Sequence, residues 1–174
     1  MKVSQNGYQC LEPGDHRIHR WVIPARNGRL TIALKQGSAG FILVHWLLWF
    51  SETIEDLTGK VLDDWGYAPR KVRNGADWSN HYSATAADAN SLKHSLGKRG
   101  TFKRWQYTKM RARLVLYAGC IRLGIDYQNR PDEMHSEVNR PIRPVERLAR
   151  RLSKTPRGKR ILAANPGQRK VIFS

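Results

Sequence analysis

The chain has 174 residues, the size of one domain, and its apolar fraction of 40% supports a core and excludes global disorder. Its formal charge of +17 is extreme for this length and favours polyanionic partners: nucleic acid, anionic lipid or the anionic polymers of a bacterial wall. The longest apolar run, Phe41 to Phe50, is interrupted by His45 and is too short to cross a bilayer as a helix.

The charge is uneven. From Arg140 to Ser174 there are eleven Lys/Arg and one acid, Glu146. Two cysteines, Cys10 and Cys120, have no CxxC spacing and make neither a disulfide framework nor a cysteine zinc site. The N-terminus has no hydrophobic segment of the kind that directs secretion.

Residues 1–16 read as an irregular lead-in, with turn signals at Asn6-Gly7 and Pro13-Gly14-Asp15. Ile18–Ile23 and Leu30–Leu34 are rich in β formers and flank an Asn27-Gly28 pair, which predicts a β-hairpin. Ser38 is a candidate N-cap for a helix over Ala39–Leu57, apolar on more than one face and therefore buried. Thr58-Gly59 stops it. Leu62–Arg73 is extended in character, because Pro69 argues against helix. Asn74–Asp77 is a turn, and residues 89–100 are a polar loop. Thr101 is placed to cap a helix over Phe102–Ala118, where Trp105, Met110, Leu114 and Tyr117 recur at helical spacing. Cys120–Ile125 suggests a strand, Asp126–Pro131 is a loop, and the segment from Asp132 to Glu137 runs into Val138. Val145–Leu152 reads as a short basic helix, and the rest as a mobile tail. Strands and helices in this mixed order predict an α+β fold with a small antiparallel sheet and packed helices. The domain division is 1–139 for the body and 140–174 for the basic tail.

Two segments carry the chemistry. Ser79-Asn80-His81-Tyr82-Ser83-Ala84-Thr85-Ala86-Ala87-Asp88 is answered by Asp132-Glu133-Met134-His135-Ser136-Glu137. Two imidazoles and a carboxylate are what a catalytic zinc site needs, with one position left open for water. Such a site requires a carboxylate to move the proton and a cation or fixed donor to stabilise the oxyanion. Arg70 and Arg73 precede the first segment and are candidates for the second role. For the first, a regular strand over 132–137 would favour Glu133 or Glu137, which share a face with His135. A turn before the strand would favour Asp132.

Ser79-x-His81-x6-Asp88 followed by Asp132-Glu133-Met134-His135-x-Glu137 resembles the zinc D-alanyl-D-alanine carboxypeptidases of the VanY type. It most resembles their bacteriophage relatives, the L-alanyl-D-glutamate peptidase endolysins. Trp65-Gly66-Tyr67-Ala68-x-Arg70, Lys93-His94-x-Leu96-Gly97-x-Arg99-Gly100-Thr101-Phe102 and Gly124-x-Asp126-Tyr127 extend the resemblance over roughly residues 40–139.

The resemblance implies a hedgehog/DD-peptidase-like fold and Zn2+ held by His81, Asp88 and His135. It implies Asp132 as the catalytic base, Arg70 as the arginine before the site, and Ser79 as a residue that orients a ligand. The chain departs from the family at Ala84, where Gly is usual, at Ser136, where Phe is usual, and near Leu123, where an aromatic is usual.

The expected function is hydrolysis of peptide bonds in bacterial peptidoglycan stem peptides, as a D-Ala-D-Ala carboxypeptidase or an L-Ala-D-Glu endopeptidase. Such an enzyme is expected as a monomer, made in the cytoplasm and reaching the wall after assisted release, or carried on a virion. Its basic tail would contact anionic wall polymers. The alternative is a non-catalytic basic module that binds nucleic acid or an anionic wall polymer.

Overall fold

The computed structural model describes residues 1–59 and 61–173. Helix α1 (Ser38–Thr53) is the centre of the molecule. Every residue from Ser38 to Ser51 is buried, so it is covered on all sides, as a helix apolar all round must be. It starts at Ser38, one residue earlier than predicted: Gly37 holds the cap position with φ 72°, and no side chain caps the helix.

The predicted hairpin covers one side. Strands β1 (Ile18–Ala25) and β2 (Gly28–Lys35) pair antiparallel, Trp21 opposite Ile32 and Ile23 opposite Leu30. Trp21, Ile23, Ile32 and Leu34 face inward on alternate positions and are buried. The free edge of β1 is met by one side chain. Asn165 accepts from the Val22 N–H at 2.8 Å and donates to the Val22 carbonyl at 2.9 Å.

The second sheet is three short antiparallel strands: β3 (Ala86–Asp88), β4 (Ile121–Leu123) and β5 (His135–Val138), in the order β3-β5-β4. Between β3 and β4 lies α2 (Arg104–Leu114), followed by a 3-10 turn over Val115–Tyr117. Thr101 does not cap this helix. Its hydroxyl donates to Glu133, and Lys103 occupies the cap. The extended segment 62–73 runs beside β3, where Trp65 and Asp88 exchange backbone hydrogen bonds of 2.9 and 2.8 Å.

The mobile tail expected after residue 152 is instead folded. Residues 142–173 form α3 (Ile142–Leu152), α4 (Pro156–Ala164) and α5 (Gln168–Phe173). Helices α3 and α4 contact α1, and α5 contacts α3. Apolar residues hidden among the charges are responsible. Val145, Leu148, Ala149 and Leu152 recur at helical spacing and, with Ile161 and Ile172, join the same core as α1. Cys10 and Cys120 are both free and buried. Among the described residues no helix is long and apolar enough to cross a membrane.

Candidate metal centre

Strand register brings two of the three donors together. Asp88 ends β3, His135 begins β5, and the two are direct partners in the ladder. His81 arrives from the turn before β3. There the Ser79 hydroxyl accepts from the His81 N–H at 3.3 Å, and the Ala84 N–H donates to the His81 carbonyl at 3.0 Å. Ala84 is fully buried with φ 56°. That left-handed conformation costs an L-residue roughly 1–2 kcal/mol, which explains why glycine suits this position.

His81 Nε2 lies 3.2 Å from His135 Nδ1 and 3.2 Å from Asp88 Oδ1, and His135 Nδ1 lies 2.8 Å from Asp88 Oδ1. The three side chains are all buried. A tetrahedral zinc with bonds of about 2.0–2.1 Å sets its donors about 3.3 Å apart, so this triangle has nearly the required size.

The remaining nitrogens are committed elsewhere. His81 Nδ1 donates to the Gly66 carbonyl at 2.6 Å, and His135 Nε2 donates to Glu137 at 3.0 Å. These bonds turn the Nε2 of His81 and the Nδ1 of His135 toward Asp88. Gly66 must be glycine, because a Cβ there would collide with the Ala33 carbonyl. Glu137 is buried and receives Asn80 Nδ2 at 2.5 Å and Arg122 Nε at 2.7 Å.

The electrostatics favour a cation. Burial disfavours charge on His135, yet hydrogen bonds to Asp88 and Glu137 overcome it and raise the imidazole to about 10. Burial likewise pushes the Asp88 carboxyl up, but His81 and His135 outweigh it and hold it well below the usual carboxylate range. Buried imidazole and carboxylate donors of this kind can hold a divalent metal ion.

The turn before β5 separates the three acids. The His135 N–H donates to the Asp132 carbonyl at 3.0 Å, so residues 132–134 lie outside the strand. Glu133 accepts from the Gly100 and Thr101 N–H groups at 2.7 and 2.8 Å and is a loop clamp. Glu137 is held by His135, Asn80 and Arg122. Asp132 alone is uncommitted: its Oδ1 is buried and has no hydrogen-bond partner among the described residues. Burial, reinforced by Asp88 and opposed by His135, His81 and Arg70, raises its carboxyl to about 6.

His81, Asp88, Asp132 and His135 line one open cleft of about 510 Å3, with Arg70, Arg73 and Arg130 also on its wall. The fold thus gathers the candidates read from the sequence around one cleft, except Glu133, which is turned away to Gly100 and Thr101. Asn80, Arg122 and the Gly66 carbonyl were not among them. Glu137 stood two residues from His135 on one strand face, a readable signal, but nothing local marks Asn80 as its partner. Comparison with family models, curated proteins and solved structures finds no match for this chain.

Proposed function

We propose that the protein is a zinc-dependent peptidase of bacterial peptidoglycan stem peptides, on a hedgehog/DD-peptidase-like fold. The supporting observation is the convergence of three buried donors beside an uncommitted carboxylate in an open cleft. Zinc held by His81, Asp88 and His135 would polarise the scissile carbonyl and make water nucleophilic near neutral pH.

The chain's own residues supply the proton traffic. Asp132 takes a proton as the water oxygen bonds to the carbonyl carbon. Arg70, on the same cleft wall, offsets charge on the carbonyl oxygen. The C–N bond then breaks, and Asp132 returns the proton to the leaving amine. Stem peptides carry free carboxylates, and the guanidiniums of Arg73 and Arg130 suit that charge. D-Ala-D-Ala carboxypeptidase and L-Ala-D-Glu endopeptidase action both follow from this chemistry.

The test is metal analysis with digestion of purified peptidoglycan and mass analysis of the fragments. About one zinc per chain and fragments cut at one of those bonds are expected. His81→Ala should lose both metal and hydrolysis. A zinc-loaded native protein that leaves peptidoglycan intact ends the reading.

A second reading rests on the surface of α3–α5. Of the eleven basic residues in 140–174, ten are exposed, Arg157 being the exception. This face would hold an anionic wall polymer or nucleic acid, and its binding should weaken steeply with salt. Full hydrolysis of small peptides together with salt-sensitive polymer binding would assign both roles to one molecule.

A further inference from the structure

A second cavity, of about 630 Å3, lies between α1, the end of α2 with its following turn, and the α3–α4 junction, and shares no lining residue with the cleft of the metal centre. His45 and Glu52 of α1, Arg113 of α2, and Arg157 and Arg160 of α4 line it. His45 is the residue that interrupts the apolar run of α1, and it is only 1% exposed. Its Nδ1 lies 2.8 Å from the Tyr117 hydroxyl. Its Nε2 is buried without a partner among the described residues, as are the Nε atoms of Arg113 and Arg157. Buried polar atoms are rarely left unpaired, so three around one cavity point to an outside acceptor.

The charges agree. Glu52 is shared between Arg157, at 3.3 Å, and Arg160. No carboxylate pairs with Arg113 among the described residues. Its guanidinium instead rests 5.5 Å from the Trp49 ring centre and 5.9 Å from that of Tyr117, which orient it. Three guanidiniums therefore face one carboxylate. Thr155 and Pro156 at the start of α4 also line the cavity, adding the positive end of that helix.

We propose that this cavity binds a phosphate group, held by Arg113 and Arg157 with the Nε2–H of His45 as a third donor. Guanidinium forks match a tetrahedral oxyanion better than any other side chain does. Burial, with the charges of Arg157 and Arg113, lowers the His45 pKa to about 3, so the ring is neutral and carries one N–H. With Tyr117 donating to Nδ1, that N–H is Nε2, the ring nitrogen that has no partner among the described residues. The cavity is larger than a bare phosphate, so it has room for a phosphate on an organic body.

Calorimetric titration of the full chain with inorganic phosphate, methyl phosphate, dimethyl phosphate and acetate, at matched ionic strength, tests this. Saturable binding of a phosphate species and not of acetate is expected, weakened more than tenfold in Arg113→Gln. Preference for inorganic or methyl phosphate identifies a free phosphate or monoester, and preference for dimethyl phosphate a phosphodiester. In the unaltered protein, the His45 Nε2 resonance should move with phosphate and stay fixed with chloride. No phosphate binding, equal binding of acetate, or an unmoved His45 resonance overturns the proposal.

Discussion

Each imidazole of the candidate metal centre faces Asp88 with one nitrogen because its other nitrogen is held from behind. Gly66 sets that hold for His81 through a carbonyl that no larger residue could present from the same place. Gly66→Ala should therefore weaken zinc affinity roughly 10–100-fold, as loss of an outer-shell partner does, in competition with a coloured chelator. Asp132 makes the opposite case. It is close to the donors without belonging to them, so on the proposed function Asp132→Asn should keep full zinc content while hydrolysis falls by roughly 10²–10⁴-fold. These residues were unequally legible. His81, Asp88 and His135 announce themselves by type and spacing. The choice among Asp132, Glu133 and Glu137 depended on where β5 begins, which residue types alone do not reveal. The Gly66 carbonyl is a backbone atom, and no pattern of side chains could have marked it.

At the scale of elements, the hairpin and α1 were readable because alternation and an unbroken apolar face are strong local signals. Helix α3 was read as a short basic helix, but α4 and α5 were missed for an equally physical reason. Eleven Lys/Arg dominate the composition of 140–174 and mask a sparse apolar stripe whose meaning appears only against α1. The consequence is measurable. Leu152 is 1% exposed, and Leu152→Ala should cost about 2–5 kcal/mol in denaturant unfolding. Truncation after Asn139 should abolish the cooperative thermal transition, since it strips the cover from α1. The registration of β3 on β5 is likewise an element-level device. A one-residue slip would send His135 to the opposite face and leave Asp88 without its neighbour.

For the molecule as a whole, His45 makes acid stability a diagnostic. Its folded pKa of about 3 lies below the ordinary 6.5, so the unfolded chain binds the extra proton. The stability contributed by a neutral His45 is present above pH 6.5 and is lost as pH falls toward 3, by about 1.4 kcal/mol per unit. Tyr117, Arg113 and Arg157 are the groups facing the ring, and both arginines stay charged throughout. Asp64 and Asp132, each raised to about 6 chiefly by burial, act in the opposite sense over pH 4–6. The comparison with His45→Phe isolates the histidine: the variant should lose stability less steeply between pH 6.5 and 4.5 in urea melts. On the proposed zinc occupancy, removal of the metal by chelation should lower Tm, because an ion bound only by the folded chain stabilises it by mass action.

Asn165 completes the outer rim of β1 with two hydrogen bonds from a single amide. A strand margin left bare recruits other chains, so this one side chain acts as a guard against fibril-like association. Asn165→Ala should leave a fold that is nearly native in shape yet self-associates on standing more than the unaltered chain, visible as rising light scattering.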